Sequence, residues 1–368
     1  MPRVSYYLLA IFFFILFSNN VFSQQTHLVN SLLHIPLPSE IEFCGEPLPL
    51  QHEDIKERLD LEMVVILGSP VTTTLWFKRM PRYFPLIERV IKELGLPGDL
   101  KYVALIESNL RQDAVSPAGA VGPWQFMRCT GETCGLQKSR YQDERRNWEK
   151  ATRAALKHLA DLKNELGSWY LALAAYNAGL IRVNKAMRTQ KENSFFNLSL
   201  PLETERYILR AIAAKLIVEN PDRYGIKLDG ARLLRPEQIS STYVEVKRGR
   251  LPVWALAEAA DVSYRKFGEL NPEVLADVLP RGVYKINIPS EAKASFHEKL
   301  KTWEAGNPEK KIVKTKSSER IFIYKVRPRD TLSKIAGKFK VSIKTICAIN
   351  GLKSPDDIRV GQRLIIRK

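Results

Sequence analysis

From Asp54 to about Arg223, apolar residues recur at three- and four-residue steps, the pattern of amphipathic helices sharing one core. Phe84-Pro85-Leu86-Ile87-Glu88-Arg89-Val90-Ile91-Lys92-Glu93-Leu94 reads as one such helix, closed by Gly95. Ala151 to Leu166 reads as another, with Ala155, Leu159, Leu162 and Leu166 on one stripe and Gly167 beyond the end. Leu100, Val103, Ala104 and Glu107 follow the i, i+3, i+4, i+7 spacing of one helix face, and Leu110 continues it. Asp99 is the expected N-cap and Pro117 the limit of this helix.

After residue 242 the period changes. Tyr243-Val244-Glu245-Val246 and Ile323-Tyr324-Lys325-Val326 are β-rich, and each precedes two short helical stretches. Each copy closes on a second β-rich run, Tyr284 to Ile288 and Arg363 to Ile366. An offset of 79 aligns Ala257–Ser263 with Ala336–Ser342 and Asn271 with Asn350. Strand, helix, helix, strand is therefore a repeated unit. Residues 24 to about 50 carry Pro36, Pro38, Pro47 and Pro49 and read as a leader; 225–242 and the lysine-rich 291–320 read as linkers.

The one continuous apolar stretch, Tyr6 to Phe17, follows Arg3 and precedes Ser23. It is too short to span a bilayer and reads as a secretory signal over 1–23, which excludes a polytopic membrane protein. No cysteine follows to suggest a lipid anchor. The expected organisation is a signal at 1–23, a leader and helical extension at 24–75, a helical domain at 76–225, modules at 243–290 and 321–368, and a basic linker at 291–320. The fold class is mainly α, with two small β-α-α-β modules at the end.

Charge narrows the partner. The 368 residues carry a net +17, and 45% are hydrophobic, which excludes a disordered chain. Residues 321–368 hold 12 Lys and Arg against 3 Asp and Glu, just over half of the excess. An exported basic protein meets an anionic polymer of the cell envelope; nucleic acid is not an expected partner. The four cysteines form no C-x-x-C pair, so no disulfide scaffold, metal or cofactor is expected. Cys129 and Cys134 would lie on different helix faces and are not expected to pair.

The candidate chemistry centres on Glu107. A carboxyl on an apolar stripe, near the negative end of a helix, is pushed toward its protonated form. Such an acid is what glycoside cleavage needs. The plainer alternative is a surface Glu paired with Arg111. Downstream, Gly119 and Gly122 allow close backbone approach, Gln125 offers an amide, and Trp124 and Phe126 offer flat apolar surface for sugar rings. Tyr176 and Asn177 stand at a helix end. Spacing leaves Asp113, Glu132, Asp143 and Glu144 open as a second carboxylate. His158 reads as a packed or half-exposed histidine.

Together, Ala104-Leu105-Ile106-Glu107-Ser108, Gly119 to Met127, Asp143-Glu144-Arg145-Arg146, Ala175-Tyr176-Asn177-Ala178-Gly179 and Pro201 to Tyr207 resemble the Slt-type lytic transglycosylase domain. The resemblance covers roughly Arg82 to Arg210 and implies a lysozyme-like helical fold. It implies Glu107 as the catalytic acid and Ser108, Gln125, Tyr176, Asn177 and Tyr207 as glycan contacts. It also implies cleavage of the MurNAc-GlcNAc β-1,4 bond in peptidoglycan with a 1,6-anhydro product, and a structural, ion-paired Asp143-Glu144-Arg145. Cys129 departs from the family, which more often has Pro and a small residue before Thr130.

Tyr324 to Leu332, Ile349 to Leu352 and Val360 to Leu364 resemble the LysM domain. This implies glycan binding through Asp330, Thr331, Leu332, Asn350 and Gly351, with Arg329 where the family has Gly. The 243–290 copy keeps only the hydrophobic frame, with Leu251-Pro252-Val253 in place of the Asp-Thr-Leu start. The whole looks like lytic murein transglycosylases of the membrane-bound D type, acting in the periplasm or cell envelope. A lysozyme-type hydrolase and a non-catalytic wall-binding protein remain the alternatives.

Overall fold

The structure, a computed structural model, describes residues 30, 32–306, 321–328, 330–350, 352, 354, 357–359 and 361–367. The expected signal segment, residues 307–320 of the expected linker, Arg329 and Gly351 lie outside the described residues. Among the described residues no helix is long and apolar enough to cross a membrane. They divide into two compact units: those up to 247 together with 251–300, and 248–250 together with 301–368.

The first unit is built on helices α1 (Glu53–Leu67), α2 (Pro70–Leu94), α3 (Lys101–Ser108), α4 (Arg128–Thr133), α5 (Trp148–Leu166), α6 (Trp169–Ala178), α7 (Leu180–Gln190) and α8 (Leu202–Glu219). Two predicted helices lie within longer ones: Phe84–Leu94 is the end of α2, and α5 begins three residues before Ala151. Gly95 and Gly167 end them as expected. Helix α6 is buried along nearly its whole length, and α3 and α8 pack into the same core. An apolar helix can be surrounded only where neighbours cover every side, so α6 is the centre of the domain.

The stretch read as a leader is partly core. Residues 42–47 form a hairpin of β1 (Glu42–Phe43) and β2 (Glu46–Pro47), with Ile41, Phe43 and Leu48 buried in the helical core. Its strands are too short to show a period. The hairpin also holds α6. Glu46 accepts from Ser168 Oγ at 2.7 Å and from the Trp169 N–H at 2.6 Å, so a carboxylate sits at the positive end of the helix that carries Tyr176.

The repeat folds as its pattern predicts. In the first copy β3 (Ile239–Pro252) pairs with β4 (Val278–Pro289) around α9 (Val253–Ala259) and α10 (Tyr264–Leu270). The expected second linker is helical in its first part: α11 (Phe296–Gly306) buries Phe296 and Leu300. In the second unit β5 (Ile321–Lys325) pairs antiparallel with β6 (Arg363–Arg367) around α12 (Leu332–Phe339) and α13 (Ile343–Asn350). The two aligned asparagines do the same work. Asn271 donates to the Asn287 carbonyl at 2.8 Å and accepts from the Asn287 N–H at 2.7 Å; Asn350 does both with Ile365 at the same distances. Both edges of one amide clasp the last strand onto the second helix, a use only Asn or Gln can serve.

The first copy does not stand apart behind a linker. Its 273–275 segment runs along 141–143: the Asp143 N–H donates to the Glu273 carbonyl and the Leu275 N–H to the Tyr141 carbonyl, both at 2.8 Å. The Glu273 side chain is buried. Its Oε1 accepts from Asn147 Nδ2 at 2.8 Å, its Oε2 has no hydrogen-bond partner in the protein, and burial pushes its carboxyl up. Glu273→Ala is expected to cost about 1–3 kcal/mol, because it strips Asn147 of a buried partner. Glu273→Gln keeps Oε1 and should cost less. Urea unfolding midpoints check this; equal midpoints for all three proteins would show that the contact stabilises nothing. The raised carboxyl has a sign. Its stabilisation is complete below the ordinary Glu range and is lost as pH rises through the folded value.

Candidate active site

The end of α3 creates the site. Asn109 and Leu110 both take left-handed φ values, 52° and 58°, which stop the helix one residue after Ser108. Asn tolerates this conformation, whereas for Leu it costs about 1–2 kcal/mol. The turn is pinned from α2: Trp76 Nε1 donates to Asn109 Oδ1 at 2.5 Å and Arg79 Nη1 to the Asn109 carbonyl at 2.8 Å. At the other end, Asp99 is not the N-cap. It lies in a 3-10 turn, Gly98–Leu100, and its carboxylate takes the Cys44 N–H at 2.7 Å and Lys215 Nζ at 2.8 Å. The hairpin and α8 claim the side chain that spacing assigned to the helix.

Glu107 is partly buried, and Tyr207 of α8 donates its hydroxyl to Glu107 Oε1 at 2.6 Å. Burial pushes the carboxyl up to about 7. The Tyr207 hydrogen bond and the Arg210 charge pull the other way, and Glu203 adds a push upward. No pair with Arg111 forms, because Arg111 holds Asp113 at 3.1 and 3.2 Å. The phenols of Tyr176 and Tyr207 are pushed well up, by burial first and then by the Glu107 carboxylate, so both are neutral donors. The His158 ring lies 5.9 Å from that of Tyr176, and burial pushes its pKa down.

Each carboxylate that spacing left open has its own cation. Asp113 pairs with Arg111, Glu132 with Arg128 at 2.9 Å, Asp143 with Arg145 at 2.7 Å, and Glu144 with Lys150. Among the described residues no cluster of three or more His, Cys, Asp or Glu is placed to hold a metal ion.

The 114–126 loop closes beside α3. Val121 and Phe126 exchange backbone hydrogen bonds at 3.1 Å, and Arg145 Nη1 donates to the Phe126 carbonyl at 3.0 Å. Gly122 lies against Arg145, where a Cβ would meet the Arg145 carbonyl oxygen at 1.8 Å. Ser108 Oγ donates to the Pro123 carbonyl at 2.9 Å and Tyr176 Oη to the Trp124 carbonyl at 2.8 Å. Two helices thus hold one loop by adjacent carbonyls.

The expected site residues therefore divide by task. Tyr207 touches Glu107 directly. Ser108 is buried and joins α3 to the loop. Gln125, at φ 47°, donates to its own loop at the Gly122 carbonyl, 2.7 Å away. Asn177 Oδ1 accepts from Thr204 Oγ1 at 2.8 Å, joining α6 to α8. Trp124 and Phe126 do not present flat surface to sugars; both are buried, and Trp124 Nε1 donates to Thr152 at 2.9 Å. An aromatic next to a glycine turn packs inward here because the core below needs filling.

In the second unit Asp330 Oδ2 accepts from Tyr324 Oη and from the Arg327 N–H, both at 2.8 Å. Thr331 caps α12 through the Lys334 N–H, Leu332 is buried, and Asn350 is the strand clasp described above. Each of the four makes a contact within the module itself.

One buried carboxylate escapes the sequence pattern. Glu62 on α1 is fully buried and accepts from Arg206 Nε and, at 3.1 Å, from Arg210 Nε. The signal was available: Ile55, Leu59, Glu62, Met63 and Ile66 share the buried face of α1, a carboxylate on an apolar stripe like Glu107.

Residues 91–199 match the family described as "Transglycosylase SLT domain", and 324–367 match "LysM domain". Glu62, Tyr207 and Arg210 fall outside the matched spans. The membrane-bound lytic murein transglycosylase D of Escherichia coli (strain K12) is 32% identical over 297 residues, covering 78% of this chain. The chain spans 64% of that relative's length. Two solved structures align at low scores. A Pseudomonas aeruginosa lytic transglycosylase Slt, an inactive mutant, has TM-score 0.31 and 19% identity, over 48% of this chain and 30% of its own. The 70 kDa soluble lytic transglycosylase of Escherichia coli has TM-score 0.34 and 17% identity, over 50% and 36%.

Proposed function

We propose that the protein is a peptidoglycan lytic transglycosylase of the cell envelope, exported to the periplasm, with Glu107 as its single acid and base. The observation that carries this reading is one partly buried carboxyl, raised to about 7 and met by a neutral phenol, with each carboxylate that spacing had left open tied to a cation. A retaining hydrolase needs a second carboxylate as nucleophile. A reaction that uses the substrate's own groups does not. Glu107 gives its proton to the bridging oxygen of the MurNAc-GlcNAc bond as the C1–O bond breaks, and the 2-acetamido group stabilises the cation. Ionised Glu107 then takes the proton of the C6 hydroxyl as O6 bonds to C1. The 1,6-anhydro ring closes, Glu107 is protonated again, and no water is consumed.

The name of the Escherichia coli relative supports the same substrate. The second unit would then retain the enzyme on the wall through its LysM fold and its concentrated positive charge. Mass spectrometry of digested peptidoglycan tests the reaction: the anhydro product is one water lighter than the hydrolysed one. Ends carrying the full water would make the protein a hydrolase. In a separate pull-down, a chain ending at residue 306 should sediment less with insoluble sacculi than the full chain; equal sedimentation would remove the targeting role.

A further inference from the structure

Both oxygens of Glu62 are used by cations from one face of α8. Arg206 binds Oε1 and Arg210 binds Oε2, and Arg210 also reaches Glu203 at 3.2 Å. Residues 203, 206, 207 and 210 share that face by the i, i+3, i+4, i+7 rule. Tyr207, which donates to Glu107, therefore stands between the two arginines. The quartet of Glu62, Glu203, Arg206 and Arg210 has no net formal charge. Glu203 is the exposed member, with two-thirds of its side chain in water, and Glu62 is the fully buried one. Inside a protein a buried partner is screened much less than an exposed one.

We propose that Glu62 is a positioning residue for the acid. It neutralises and orients Arg206 and Arg210, so that Glu107 meets the Tyr207 hydroxyl and not an uncompensated cation. The inference rests on the reading of Glu107 as the catalytic acid. The neighbouring tyrosine and the arginines at the end of α3 leave this role open. Tyr176 on α6 is neutral and donates to the loop. Arg79 on α2 is tied to the Asn109 carbonyl, and Arg111 to Asp113. Arg210 is the cation whose charge bears on Glu107, and its Nε–H donates to Glu62 Oε2. With Glu62 neutral, the full charge of Arg210 would favour ionised Glu107, which cannot protonate a leaving oxygen.

The alternative is that Glu62 only fastens α1 to α8. The pH dependence of kcat/KM on soluble peptidoglycan fragments separates the two, because its basic limb reports the acid in the free enzyme. In the full-length protein, Glu62→Gln should move that limb down by about 0.5–1 pH unit, and Arg210→Gln should move it up by a similar amount. The double variant should return it toward the starting position. A fastening role predicts lower stability or kcat with the limb unmoved in every variant, and that result overturns the proposal. If Glu62→Gln does not fold, Arg210→Gln decides: a limb that stays or falls overturns the proposal. Full activity in Glu107→Gln would instead overturn the assignment of the acid, a failure distinct from that of Glu62.

Discussion

Glu107→Gln is expected to lower glycan cleavage by about 10²–10⁴-fold while leaving the fold intact, because general acid catalysis contributes on that scale. Gln matches the shape of Glu and still accepts the Tyr207 hydroxyl, now 2.6 Å from Glu107 Oε1, but has no proton to give. Circular dichroism and an unchanged unfolding midpoint would show that only chemistry was lost. The intact enzyme should show the same dependence through pH. Burial pushes its carboxyl up to about 7, and only the protonated form acts as acid. Activity should therefore hold below that value and fall about tenfold per pH unit above it. Activity that rises through pH 8, or survives in Glu107→Gln, would require another acid.

Gly122→Ala should be the most damaging substitution in the 114–126 loop, although it touches no reacting group. Gly122 has φ 85°, and its added Cβ would lie 1.8 Å from the Arg145 carbonyl oxygen. Backbone cannot rotate away as a side chain can, so either the 121–126 turn opens or the 144–146 segment moves. We expect a loss of about 2–5 kcal/mol in stability. Activity should fall with it, because the carbonyls of Pro123 and Trp124 hold Ser108 and Tyr176. Gly119→Ala is the control: φ is 87°, but nothing lies within 4 Å of its Cβ. It should cost only the left-handed strain, about 1–2 kcal/mol. Equal losses from the two variants, measured by urea unfolding, would mean that strain matters and the contact does not.

The residues themselves show how far a one-dimensional reading reaches. The helical stripe put Glu107 on an inner face, and the structure keeps it there. The period change after residue 242 marked the modules, and the offset of 79 aligned two asparagines that make the same clasp. The same kind of stripe carries Glu62, which drew no attention because no motif surrounded it. Asp99 shows the opposite failure. A good N-cap residue stood at a helix start, but Cys44 and Lys215, distant in sequence, offered its carboxylate more.

Residue types and their periods alone determined the helices, the repeated strand-helix-helix-strand units, and the placing of Glu107 among apolar neighbours. Those properties depend on residues three, four or two apart, which any folded chain must honour. The tertiary structure alone decided that a hairpin within the expected leader caps the central helix and that the first module is built onto the helical domain. It also decided that Tyr207, 100 residues from Glu107, meets the acid between two arginines held by Glu62. Each of these depends on which buried polar group finds a partner across the core. Desolvation makes an unpaired one costly, so the partner is chosen by packing and not by distance along the chain.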